Sequence, residues 1–312
     1  MEGVRAIAVT GGTGFIGERL IAACRDAGIE VRVLTRSPAR GRALYPPRLF
    51  PHVRIEAWTP TAIGPWVSAL AGVDAVVHLA GAPIAGRWNP SFKREILASR
   101  EVGTRTIVEG LKRAHPAPPV FVSASACRFY GPDAERVFSD AEDHPPGRDY
   151  LAQVCVAWER EAARAEELGL RRVTLRFSIA LGMTRRFREA LGRIRPFLGG
   201  RIGSGRQWAS WVHRDDAVAA ILRAVRDRTM HGTYTVTSPN PVRMDEVTAA
   251  FGAALGSRFR LPVPSFVLEG LLGDGATILL DGQRVIPARL TVAGFAFRFP
   301  EIGPAVRDVL AG

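Results

Sequence analysis

Lysine is nearly missing from this chain: Lys93 and Lys112 are its only two, among 42 basic residues. The positive charge is therefore almost all arginine, a habit of composition spread along the whole chain. A net charge of +12 raises the question of nucleic acid. No run of five basic residues and no interleaved aromatic ladder occurs, which argues against that partner. Cysteine is scarce as well. Cys24, Cys127 and Cys155 are widely spaced and form neither a metal-ligand cluster nor a disulfide framework, so free intracellular thiols and no metal are expected. No apolar run reaches the length of a membrane span, and no basic region with an apolar core opens the chain. A cytoplasmic protein without a membrane partner is expected. Internal repeats and low-complexity linkers are missing too.

What is present is a globular composition, 47% hydrophobic and 23% charged over 312 residues. That length can bury one large α/β core, or one core with a smaller lobe. The apolar run Ala6 to Val9 feeds glycines at Gly11, Gly14 and Gly17, and an amphipathic segment, Phe15 to Ala27, follows. Dinucleotide sites need that order. The first glycine permits a tight strand-to-helix turn and the second lets backbone approach a pyrophosphate. The third lets the helix, opening at Phe15 and Ile16, pack close to its strand with its amides facing the phosphates. Glycine turns after strands are common, but here the second strand, Val31 to Thr35, is also in place.

The end of that second strand selects the dinucleotide. About twenty residues past the glycines, a carboxylate would accept hydrogen bonds from the ribose of NAD. This chain has Thr35-Arg36-Ser37, then Arg40 and Arg42. A guanidinium matches a 2′-phosphate in charge and in fork geometry, so Arg36, Ser37 and Arg40 point to NADP(H). The competing reading is that an arginine-rich chain places arginines everywhere.

Strand-like runs alternate with helical patterns up to about residue 180, the signature of a doubly wound parallel sheet of Rossmann type. The expected strands are Arg5 to Thr10, Val31 to Thr35, Val53 to Ala57, Ala75 to Leu79, Val120 to Ser123 and Val173 to Phe177. The expected helices are Phe15 to Ala27, Pro90 to Ala114 and Tyr150 to Leu168, with Gly131 to Gly147 a loop. Beyond 180 the alternation fails. Gly182 to Gly205 is rich in arginine and glycine; a helix at Asp216 to Arg226, a strand at Thr233 to Thr237 and a helix near Ser265 to Leu272 follow. The α/β fold expected is thus a cofactor domain over 1–180, its sheet completed by parts of 205–240, and a smaller C-terminal substrate lobe over most of 181–312.

Further segments fall in order: His78-Leu79-Ala80-Gly81, Ser123-Ala124-Ser125-Ala126, Tyr130-Gly131 and Trp211-Val212-His213-Arg214-Asp215-Asp216. Together they resemble the extended short-chain dehydrogenase/reductases, the superfamily of sugar-nucleotide epimerases and dehydratases. More narrowly, the chain resembles an atypical branch, an epimerase-like family carrying a C-terminal domain of unknown function. Ala80 to Ala85, Lys93 to Ile96 with Ser99-Arg100, and Ala152 to Glu159 support that match. So do Gly203 to Trp208, Thr237 to Val242, Asp281 to Val285 and Ala293 to Phe295. The resemblance covers essentially the whole chain. It implies cofactor contacts at Leu79, Ala80, Gly81, Ser123 and Ser178, and many relatives dimerise through helices 90–114 and 150–168, so a monomer or homodimer is expected.

The superfamily's relay is a tyrosine and, four residues later, a lysine that lowers the phenol's pKa from about 10 and holds the nicotinamide ribose. Those positions here are Leu151 and Cys155, a departure the atypical branch shares. Tyr150 is one residue off, roughly 100° around a helix. The asparagine that supports the relay is matched by Arg100, and Ser125 matches the superfamily's substrate-binding serine. Arg128 stands where a smaller residue is expected. Cys155 is a candidate acid or a buried small side chain, and Tyr130 a candidate proton donor or a packing ring. Asp216 reads as a helix cap more than a base. Arg206, Trp208 and Trp211 are candidates for a substrate pocket, and Lys93 is a faint hint of a role. The leading expectation is an NADP(H)-dependent oxidoreductase or epimerase-like protein acting on a small polar, sugar-type or anionic substrate. The alternative is a non-catalytic NADPH-binding sensor.

Overall fold

The computed structural model describes residues 3–184, 187–189, 192, 198–257 and 261–311. In chain order the strands are β1 (Ala6–Thr10), β2 (Glu30–Thr35), β3 (Val53–Ala57), β4 (Ala75–His78), β5 (Val120–Ala126) and β6 (Val137–Ser139). Then come β7 (Arg171–Phe177), β8 (Ile179–Leu181), β9 (Trp208–Ala209), β10 (Trp211–His213), β11 (Gly232–Val236), β12 (Val242–Arg243) and β13 (Arg284–Ile286). Seven of them make one sheet in the order β11-β7-β5-β4-β1-β2-β3. Every pairing in it is parallel. The helices that matter for the site are α1 (Phe15–Asp26), α2 (Pro38–Leu44), α3 (Pro90–Arg113), α4 (Tyr150–Ala163) and α5 (Arg214–Arg226).

Period-two alternation sorts the strand side chains to two faces. Ile7, Val9, Val77 and Val122 pack with Leu20 and Ile21 of α1 and Ile221 of α5. Ala8, Val76 and Phe121 turn the other way, onto Ile107 and Leu111 of α3 and Ala162 of α4. A sheet covered on both faces buries both registers, so its strands read as continuous apolar runs. Each fully buried Ile, Leu or Phe side chain contributes about 1.5–3 kcal/mol. This is the doubly wound α/β fold expected from the alternation. The chain leaves β1 for β2 on one side and pairs β1 with β4 on the other, which opens a crevice at the carboxyl ends of β1 and β4.

Several local expectations need correction. Gly131 to Gly147 is not all loop: β6 lies inside it, pairs with β13 and buries Phe138. The ladders β8–β10 and β9–β12 were likewise not anticipated. All three ladders are two or three residues long and join distant segments, so no local periodicity announces them. Helix α4 ends at Ala163, and Glu166–Leu168 forms a separate 3₁₀ turn. Part of the Gly182 to Gly205 stretch (185, 186, 190, 191 and 193–197) lies outside the described residues.

Candidate functional site

The crevice is built first by the turn after β1. Gly11 has φ +71°, and a Cβ there would lie 2.6 Å from the Leu79 carbonyl carbon. A Cβ on Gly17 would lie 2.2 Å from the Gly11 oxygen, so the first turn of α1 sits directly on the loop. Gly14 differs, since a Cβ there meets only the Gly11 oxygen, at 3.1 Å. It is the N-cap of α1 and no side chain caps it, so the helix's positive end, at Phe15 and Ile16, stays available. The Phe15 ring itself turns toward Gly182 and lies 5.1 Å from the Arg214 guanidinium carbon.

Two side chains beyond β2 hold the loop. Tyr45, at the end of α2, donates its hydroxyl to the Gly12 carbonyl at 2.5 Å. Burial pushes that phenol above its ordinary range, which keeps it a donor. Arg40 donates to the Thr13 carbonyl at 3.2 Å. Arg36 and Ser37 are exposed. The Ser37 amide is tied to Thr35 Oγ1 at 3.2 Å. Arg36 has no ion pair or hydrogen bond among the described residues. Tyr45 was not anticipated, because an aromatic just past a short helix is no signal.

On the other side of β1, Leu79 donates its amide to the Thr10 carbonyl at 3.1 Å, and Ala80 and Gly81 continue along the crevice. His78, just before them, bridges Thr10 at 2.7 Å and Thr104 at 3.1 Å. Burial drives its pKa down to about 3, so the ring is neutral. Ser123 is fully enclosed, with its hydroxyl on the Ala124 carbonyl at 3.2 Å. Ser178 donates to the Val236 carbonyl at 3.3 Å. The Ser178 side chain thus ties the end of β11 to the segment after β7, while the Ser123 hydroxyl bonds within its own strand.

Along α4, Leu151, Cys155 and Glu159 recur every four residues and so share a face. Leu151 and Cys155 are buried. Burial pushes the Cys155 thiol up to about 12, the Glu159 charge adds to that, and Arg100 only partly opposes it. At neutral pH the group is a thiol with no acidic character. Ser125 is not free either. It donates to Glu159 Oε1 at 2.5 Å, and Arg176 grips both oxygens of Glu159 at 2.8 and 2.7 Å. The guanidinium carbon lies 3.4 Å from the Phe129 ring centroid. Tyr130 stacks on Phe138 at 4.9 Å and gives its hydroxyl to the Ser139 carbonyl at 3.4 Å. Burial raises its pKa as well. Tyr150 points away, donating to the Lys93 carbonyl, and Lys93 pairs with Asp274.

On the C-terminal side, Trp211 is 1% exposed and packs on Phe299 and Ala305, so it is core and cannot line a pocket. Trp208 is half-buried, donates to the Ala134 carbonyl at 3.0 Å, and lies under Arg243 at 3.7 Å and Arg284 at 4.8 Å. Arg206 is exposed, and its carbonyl accepts from Arg243 at 2.6 Å. A nearby cavity of about 590 Å³ is lined by Ser204, Glu269, Asp274, Thr277 and Asp281. The cap of α5 is His213, which accepts from the Asp215 amide at 3.2 Å. Asp216 is neither cap nor base: its buried carboxylate accepts from the amides of Arg298 at 2.8 Å and Phe299 at 3.0 Å.

A glycine cradle at the β1–β4 switch point, with cations beyond β2, is the frame of a known group of proteins. The model of the NAD dependent epimerase/dehydratase family matches residues 7–236. The chain belongs to that family. A domain of unknown function (DUF1731) matches residues 263–309, as the resemblance implied. The chloroplastic SDR39U1 homolog of Arabidopsis thaliana, an epimerase family protein, is 39% identical over 315 residues, covering 99% of this chain and 88% of the relative. The human epimerase family protein SDR39U1 is 33% identical over 314 residues, covering 98% and 99%. The crystal structure of human SDR39U1 (isoform 2) with NADPH superposes with a TM-score of 0.85 at 30% identity, covering 98% of this chain and 99% of that one. The nucleoside-diphosphate sugar epimerase of Corynebacterium glutamicum gives a TM-score of 0.75 at 28% identity, covering 99% of this chain and 58% of that one. No helix among the described residues is long and apolar enough to cross a membrane.

Proposed function

We propose that this family member binds NADP(H) and works on a small polar substrate without the tyrosine–lysine relay of the wider superfamily. The observation that carries the reading is at the end of β2. Arg36 stands exposed and, among the described residues, unpaired, while Arg40 beside it is bonded to the glycine loop itself through the Thr13 carbonyl. A 2′-phosphate bound there meets two guanidinium groups and no carboxylate from β2. The residues fit the cofactor in a second respect. The Gly14 position leaves open the space that a side chain would fill, at an uncapped helix N-terminus. The NADPH in the human neighbour's crystal structure supports the same assignment.

When bound, the nicotinamide supplies a hydride donor or acceptor. Gly11, Gly14 and Gly17 would cradle the pyrophosphate, and Arg36, Ser37 and Arg40 would hold the 2′-phosphate. Leu79, Ala80 and Gly81 would line the crevice, in the portion of the chain proposed as the cofactor domain, 1–180. The rest, 181–312, would supply most of the substrate lobe, with Arg206 and Trp208 at its surface. Cys155, Ser125 and Tyr130 are buried or already bonded, so a proton would come from water or from the substrate. That same observation favours a second reading, an NADPH-binding sensor that performs no turnover. NADPH oxidation with any compound of a metabolite screen would exclude the sensor reading.

Calorimetric titration of Arg36→Asp tests the cofactor reading. Losing one charge-assisted bond costs about 1.5–3 kcal/mol, so NADPH affinity should fall at least about tenfold while NADH affinity holds or rises. Unchanged NADPH affinity would remove Arg36 from the site.

A further inference from the structure

Arg100 projects from α3 into the seam between α3, α4 and the segment after β4. Its Nη1 donates to the Ile96 carbonyl and its Nη2 to the Ala82 carbonyl, each at 3.1 Å. No carboxylate pairs with it among the described residues. A guanidinium has five N–H donors, so most of its capacity is unspent. One side of the group lies on Gly81, where a Cβ would stand 3.1 Å from the guanidinium carbon. On another side the Trp158 ring is 5.1 Å away. The Trp158 indole N–H is itself enclosed without a partner. Cys155 is near enough for the guanidinium charge to draw its thiol downward against burial.

Sheet order places this group. A dinucleotide lies across the switch point with one half over β1 and β2 and the other over β4 and β5. Arg36 marks the first half; Gly81, which follows β4, marks the second. A half-buried cation with no counter-ion is costly unless something supplies acceptors. The short Cys155 side chain leaves α4 contributing no cation of its own there.

We propose that Arg100 is the cation of the nicotinamide half of the site, holding that ribose's hydroxyls from α3 in place of an ammonium from α4. The proposal rests on the NADP(H) reading above. It is tested by titrating wild type, Arg100→Met and Arg100→Lys with NADPH and with adenosine 2′,5′-bisphosphate, which carries only the adenosine half. Arg100→Met should weaken NADPH about tenfold or more, reduce the fluorescence enhancement of bound NADPH, and leave the bisphosphate affinity unchanged. Arg100→Lys, which keeps the charge, should recover part of the loss. Equal losses for both ligands would mean that Arg100 only supports the fold, and unchanged NADPH binding would mean that it touches nothing; either overturns the assignment. Wild type binding both ligands equally well would overturn it too, while leaving the adenosine site intact. Wild type binding neither would overturn the cofactor reading and this assignment with it.

Discussion

Glu159→Ala is the most severe single change that the region around Ser125 offers. Glu159 and Arg176 form a two-bond pair whose side chains are only 14% and 12% exposed, and Ser125 donates to the same carboxylate. Alanine leaves a guanidinium enclosed against Phe129 with no anion, and strands the serine hydroxyl. Removing one partner of a buried pair costs about 3–5 kcal/mol, much of it the penalty on the partner left behind. For 312 residues, an unfolding entropy of roughly 2.1 cal/mol/K per residue converts that into a Tm drop of about 5–8 °C. Glu159→Gln keeps acceptors for both partners and should lose less, about 1.5–3 kcal/mol. In the double variant Glu159→Ala with Arg176→Met the orphaned charge is gone, so the combined loss should be smaller than the sum. Calorimetric or urea melts of the four proteins decide it. A Glu159→Ala protein melting within about a degree of wild type would refute the reasoning that this pair, rather than the chemistry, is what Ser125 serves.

Gly14→Val should abolish NADPH binding while the far-ultraviolet circular dichroism stays native, whereas Gly17→Ala should lose both, because its methyl would meet the Gly11 oxygen at 2.2 Å. A folded Gly14→Val protein that still binds would show that the loop is no phosphate cradle. His78 has its pKa lowered by burial from 6.5 to about 3, so its stabilisation is full above pH 6.5 and is lost as pH falls toward 3. Urea melts at about pH 7 and about pH 5.5 should show wild type losing about 1 kcal/mol more than His78→Asn. Equal pH dependence in the two would place a charged ring in the core. Cys24, Cys127 and Cys155 are buried, and burial pushes the Cys24 and Cys155 thiols up to about 12. Ellman's reagent at neutral pH should therefore label none of them until denaturant is added; prompt native labelling of Cys155 would reopen it as an acid.

The parts of this molecule that were legible beforehand are those whose cause is local. The β1 turn could be read because three glycines, a strand and a helix are contiguous, and each glycine has its own steric reason. Val53–Ala57 and Ser265–Leu272 appear with the bounds expected. Trp211 misled because its neighbours in sequence are polar and charged; its neighbours in space, Phe299 and Ala305, come from the far end of the chain. Ser125 misled in a similar way. A serine near the carboxyl end of a central strand looks available until its register is known, and only pairing with Arg176 shows that it faces α4 and Glu159. Lys93 stood out by rarity, yet its partner Asp274 is a contact no spacing could reveal.

The scarcity of lysine also acquires a structural reason. Arg171 donates to three carbonyls at the end of α5 and just beyond it, Ala224 at 2.9 Å, Val225 at 3.0 Å and Met230 at 2.8 Å. Arg289 joins the Thr233 carbonyl at 2.5 Å and the His231 carbonyl at 3.0 Å. Arg32 reaches the carbonyls of Ala69 at 3.2 Å and Ala71 at 2.8 Å. A planar fork with five donors can close several helix and loop ends at once, with less rotamer entropy lost per bond than an ammonium would need. Much of the hydrogen-bonding capacity of these three guanidinium groups is thus spent on the chain's own carbonyls. On the proposed reading, two of the arginines that bear on function are ones the fold leaves with donors to spare. Among the described residues Arg36 has no partner and Arg100 has no carboxylate, and the proposals above put them at opposite halves of one crevice.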